Sequence, residues 1–256
     1  MSCLPPGAGL HDTPWILLFA AAVFLLAGFV KGVIGGGLPA IAIGMLGLIM
    51  PVAQAAALVV LPAFVTNVWQ SAGPRFGILL RRIWLMLVGI CGGAWLGAGL
   101  MTGNNSELAR TGLGLALVVY AGVGLLKIRL HIPPRAEPWC APAVGIATGV
   151  IAAATGIFVI PSGPYLQAIG LQKDDLVQAL GITYTVSTVV LAGILVHGGA
   201  MSWSIAGPSV LTLVIVTIGM AIGQQVRARV REEAFRTIFF AGLLILGGHL
   251  ALRGIL

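Results

Sequence analysis

Lys31 stands alone: no other charged residue occurs between Asp12 and Arg75. Just beyond it the apolar run is broken by Gly32, Gly35, Gly36, Gly37 and Pro39. A second break follows in the other half of the chain, at Gly149, Thr155 and Gly156, then Pro161, Ser162, Gly163 and Pro164. A break in a helix exposes backbone N–H groups and the partial positive charge of a helix N-terminus, which suit an anion. Glycines there let the backbone approach a ligand closely. Lys31, Gly36, Gly37, Thr155, Gly156 and Ser162 are therefore candidate substrate contacts.

Further polar side chains lie stranded in charge-free sequence, where a buried polar group without a partner is costly. Asn67 and Gln70 follow the first break, with Gln54 and Thr66 nearby; Tyr165, Gln178, Tyr184 and Ser187 follow the second, among several threonines that include Thr183 and Thr188. Asn67, Gln70, Tyr165, Gln178, Tyr184 and Ser187 complete the candidate set as donors to an anion. Each has a plainer reading. Ser and Thr bond back to their own helix carbonyls, Asn and Gln join helices, tyrosines pack, and a lysine at a helix end snorkels to the interface. No Asp or Glu is embedded within an apolar segment, Glu107 standing only at the start of one, so a carboxylate relay for cations is excluded. Cys3, Cys91 and Cys140 are far apart, and no metal-ligand spacing occurs. No metal or cofactor is expected.

The elements that must position these residues are membrane helices. Of 256 residues, 59% are hydrophobic and 8% charged, against about 25% charged in an ordinary soluble domain. Mean hydropathy is +1.06. Charge-free stretches run 14–30, 32–74, 83–106, 111–126, 138–172, 176–226 and 237–252, and a span needs roughly 20 apolar residues. The net charge of +7 comes from short basic clusters between apolar runs, not from a basic stripe with aromatics, so nucleic acid is not an expected partner. The N-terminus lacks a basic region before its apolar run and is read as a lead-in, 1–13, without a cleavable signal.

Ten apolar segments follow: 14–31, 35–50, 52–70, 78–101, 107–127, 139–156, 157–171, 176–197, 203–224 and 235–253. If the first two segments of each half go out and back, Lys31, Arg75, Arg81, Arg82, Lys127, Arg129, Arg135, Lys173, Arg227, Arg229, Arg231 and Arg236 fall on one side. Arg110 and Arg253 alone fall on the other. That arrangement satisfies the positive-inside rule and puts both termini outside. The halves, 14–127 and 139–256, are then inverted repeats joined by a cytoplasmic linker, 128–138. The fold expected is all-α and polytopic, two inverted repeats of about five segments with broken or re-entrant short helices at the start of each. Broken segments in corresponding positions point to a transporter's binding site. Gly89, Gly93 and Gly97 form a ladder for close helix packing, with Gly112, Gly122 and Gly247 of the same kind. Trp15, Trp84, Trp139 and Trp203 sit near span ends as interface anchors.

The glycine breaks, each followed by an apolar run, a Gly-Leu turn (Gly47-Leu48, Gly170-Leu171) and a helix with Gln-Ala (Gln54-Ala55, Gln178-Ala179), resemble the TauE/SafE family of sulfite exporters. The matching pieces include Gly28 through Gly37, Thr66 to Gln70, and Gly145 through Pro161. The second break differs, having Ala152, Ala153 and Ala154 where the family often carries more glycine. The resemblance covers roughly 16–253. It implies an inner-membrane transporter of a small sulfur-containing anion, such as sulfite or an organosulfonate such as sulfoacetate. The reading is a secondary transporter working by alternating access, in which the two breaks meet near the midplane. An anion channel and an accessory membrane subunit are the alternatives; an enzyme is not expected. Partners are the anion and the lipid bilayer. A coupling proton or ion and a homodimer are both compatible with the sequence.

Overall fold

A computed structural model describes residues 13–101, 106–126, 131–171, 173–201, 206–227 and 232–253. The lead-in up to residue 12, with Cys3, lies outside them, as do Lys127, Arg129, Trp203, Arg229, Arg231 and the first part of the linker.

The described residues form ten helices: α1 (Thr13–Ile34), α2 (Leu38–Leu46), α3 (Val52–Ser71), α4 (Phe76–Leu96), α5 (Ser106–Leu125), α6 (Glu137–Thr155), α7 (Ser162–Ala168), α8 (Lys173–His197), α9 (Ala206–Arg227) and α10 (Glu232–Arg253). Seven are long and apolar enough to cross a membrane, namely α1, α3, α4, α6, α8, α9 and α10. The chain is a multi-pass membrane protein. At a rise of about 1.5 Å per residue, α2 with nine residues and α7 with seven reach less than halfway across a hydrocarbon core of about 30 Å. These are the two broken segments.

Local chemistry explains the breaks. Gly35 and Gly37 have φ of 84° and 92°, a left-handed conformation costly for other residues. Pro39 then opens α2, where its missing N–H removes nothing. In the second half Gly156 ends α6 in the left-handed region. Pro161 stands at the N-cap of α7.

Helix pairing shows a two-fold exchange of the halves. The α4–α6 pair is matched by α9–α1, and α4–α8 by α9–α3, while α3–α8 and α5–α10 pair an element with its own counterpart. Small residues set how closely these pairs approach. A β-carbon added at Gly93 would lie 2.1 Å from the Ile146 carbonyl oxygen, and one at Gly145 2.2 Å from that of Met86. The matched pair repeats the device, with Gly28 against Val216 and Gly223 against Phe29 at 2.3 and 2.2 Å. Lipid tails are as apolar as leucine, so close packing replaces the hydrophobic effect as the driving force between such helices. The expected ladder at Gly89, Gly93 and Gly97 is built this way, and Gly247 packs on α5. Gly122 faces open space and Gly112 meets only a methyl of Thr155 at 3.8 Å, so neither is a packing contact of that kind. Trp15, Trp84 and Trp139 are exposed.

Candidate functional site

The first break brings a cation into the protein interior. Lys31 lies on the last turn of α1 and is 3% exposed. Its ammonium donates to Thr66 Oγ1 at 2.9 Å and to the side-chain oxygen of Asn67. Asn67 Nδ2 in turn donates to Thr188 Oγ1 across the α3–α8 contact, at 3.2 Å. Thr66 and Thr188 send their own protons to the carbonyls of Pro62 and Tyr184 at 2.6 Å. Pro62 inside α3 cannot donate a helical hydrogen bond.

All of Lys31's hydrogen-bond partners are neutral. Among the described residues the three ion pairs, Arg75–Asp175, Arg82–Glu137 and Arg110–Glu107, lie elsewhere. A buried charge without an opposite charge is expensive unless something supplies one. The amides of Gly36 and Gly37 carry no hydrogen bond among the described residues, whereas Gly35 N–H is held by the Lys31 carbonyl at 2.8 Å. The first break thus offers one ammonium beside the unbonded amides of Gly36 and Gly37.

Tyr184, near the middle of α8, stands between the two breaks. A methyl on Gly36 would lie 3.9 Å from Tyr184 Cε2, and one on Gly163 3.7 Å from its hydroxyl. Phe158, from the second break, packs on the Tyr184 ring with centroids 5.1 Å apart.

At the second break both hydroxyls and part of the amides are bonded internally, while the amides of Phe158, Val159, Ile160 and Ser162 carry no hydrogen bond among the described residues. Thr155 Oγ1 donates to the Ile151 carbonyl at 2.7 Å and accepts from Ile157 N–H at 3.1 Å. Ser162 Oγ donates to the Phe158 carbonyl at 2.6 Å, and Gly163 N–H to that of Val159 at 2.8 Å. Ile157, Phe158, Val159 and Ile160 are all buried and apolar. A β-carbon on Gly156 would strike Ile43 Cδ1 at 2.5 Å, and one on Gly37 would strike Phe239 Cζ at 2.9 Å. Both glycines border packed hydrophobic groups.

The remaining candidates are dispersed. Gln70 Nε2 donates to the carbonyls of Gly35 and Val177, each at 3.0 Å, tying the end of α1 to α8. Gln178 Nε2 donates to the Ser71 carbonyl at 2.9 Å and so caps α3. Ser187 bonds to the Thr183 carbonyl in its own helix. Tyr165 belongs to a separate apolar cluster with Leu79, Ile83 and Met86, and its hydroxyl donates to the Glu137 carbonyl at 3.4 Å. The fold therefore joins Lys31 to Asn67 and sets Gly36 beside Tyr184. Two residues of this centre, Thr66 and Thr188, stand among the stranded polar residues in sequence but not in the set of candidate contacts. Thr188 sits one turn beyond Tyr184 on α8, and that i, i+4 spacing places the two on one face.

The family model for the sulfite exporter TauE/SafE matches residues 20–250, nearly the whole chain. The chain belongs to the TauE/SafE sulfite exporter family. No curated protein and no solved structure matches it. TauE/SafE proteins form a membrane transporter family, and the match spans both breaks and reaches into all ten helices.

Proposed function

We propose that this TauE/SafE member is a secondary transporter of a small anion, a sulfur oxyanion or organosulfonate, held at the Lys31 centre. The observation that carries the reading is the buried Lys31 ammonium, hydrogen-bonded only to neutral Thr66 and Asn67, beside the free amides of Gly36 and Gly37. An anion there supplies the missing charge and accepts the free donors. The two-fold exchange of the halves supports an alternating-access cycle, in which the repeats rock about this site. The basic clusters at helix ends favour a bacterial inner-membrane orientation with both termini periplasmic. Outward movement of an anion is driven by an inside-negative potential, whereas uptake needs a coupling ion.

Reconstitution into proteoliposomes tests the reading. Saturable flux of sulfite or a simple organosulfonate is expected, lost in Lys31→Gln. Flux that never saturates and carries ohmic current marks a channel instead. No flux of any anion at millimolar concentration, from protein that is folded, removes the transport assignment.

A further inference from the structure

We infer that the Lys31 centre accepts anions carrying a single negative charge and discriminates against dianions. This rests on the anion-transporter reading above and concerns the charge of what that site takes.

Lys31 is the one whole charge at the first break. Its hydrogen-bond partners Thr66 and Asn67, and Thr188 behind them, are neutral dipoles that orient an ion without adding charge. The helix termini do not change this count. The negative end of α1 and the positive end of α2 meet at the same break, so their macrodipoles offset.

Among the described residues, no charged group on the elements packed around α1 and α3 pairs with Lys31. α2 and α3 carry none. On α9 the basic residue is Arg227, exposed in the last turn. On α10 the Arg236 guanidinium lies 6.0 Å over the Phe240 ring, and His249 and Arg253 are near the far end. On α8, Asp174 and Asp175 lie in the first turn, Asp175 paired with Arg75, and His197 is in the last. Arg82 on α4 is taken by Glu137 and by the Ile169 carbonyl. Across Tyr184 the second break presents buried apolar residues and neutral backbone amides, with no charged side chain.

A monoanion at Lys31 therefore leaves a neutral complex. A dianion leaves an uncompensated negative charge out of water, with only neutral dipoles and, among the described residues, no second cation paired at the centre to receive it, and such a charge is strongly disfavoured.

Binding to the purified full chain in detergent, by titration calorimetry or ligand-induced thermal shift, separates the outcomes. Methanesulfonate is a monoanion and sulfate a dianion across the neutral range; sulfite changes between the two charge states there. Methanesulfonate is expected to bind at least about tenfold more tightly than sulfate. As the pH rises across that range, the affinity of sulfite falls more steeply than that of methanesulfonate, following the fraction of hydrogensulfite. Lys31→Gln abolishes binding of both. If sulfate matches methanesulfonate and both depend on Lys31, the single-charge rule is wrong and the transporter reading stands. If no anion binds in a Lys31-dependent way, both are wrong.

Discussion

The ammonium of Lys31 donates to the side-chain oxygen of Asn67, so the charge on α1 is held by the helix that forms the α3–α8 seam between the halves. Any change in the state of Lys31 is felt directly at that seam. This coupling of a charged centre to the contact between repeats is the physical basis for the experiments below.

Lys31→Gln keeps a donor but removes the charge. Losing a buried charge contact to a bound ion costs about 3 kcal/mol, or roughly 100-fold in affinity. Anion flux in proteoliposomes should fall by that order while the protein stays folded by gel filtration. Wild-type flux in this variant would place the substrate elsewhere.

Asn67→Asp gives Lys31 a built-in counter-ion of almost unchanged shape. Thermal stability in detergent should rise, and anion binding should disappear, because the site is already neutral. Asn67→Ala should instead lower stability by about 1–3 kcal/mol, since the ammonium and Thr188 each lose a partner. A matching rise in both variants would contradict the arrangement.

The two neighbouring glycines of the first break should separate fold from function. Gly37→Ala meets Phe239 at 2.9 Å and requires a φ of 92°, so it should destabilise by about 1–2 kcal/mol. Gly36→Ala has nothing nearer than 3.9 Å. It should melt like the wild type yet weaken anion affinity several-fold, as its methyl crowds a free amide. Equal effects of the two changes on melting temperature would show that Gly36 also serves the fold.

Helix packing gives a test that involves no ligand. Gly93→Ala drives a methyl to within 2.1 Å of the Ile146 carbonyl oxygen, and the resulting overpacking should cost about 1–3 kcal/mol or more. Gly92→Ala, one residue away and facing open space, should cost nothing measurable. Unfolding in detergent monitored by circular dichroism compares the pair.

Sequence alone determined the membrane class, the ten segments and the two breaks. Hydropathy, charge position and glycine or proline placement are local properties, and the bilayer fixes how long an apolar run must be to cross it. The glycine ladder at residues 89–97 was also legible, because small residues at a spacing of four lie on one helix face. Sequence could not tell Gly122 from Gly93, since what a glycine faces depends on the neighbouring helix.

Only the tertiary structure decided which polar residues meet. Lys31 and Asn67 are 36 positions apart, and Asn67 and Thr188 are 121 apart; such pairings follow from helix crossing and rotation, which no local pattern encodes. For the same reason Gln70 and Gln178 read as site donors in sequence, but their amide hydrogens go to backbone carbonyls. The two breaks look alike as punctuation. In three dimensions the second ties its hydroxyls and some of its amides to its own backbone and holds no charged side chain, while the first adds to its unbonded amides an ammonium unmatched by charge. Composition can set the number of polar groups in a membrane protein, but only packing determines which of them are left for a ligand.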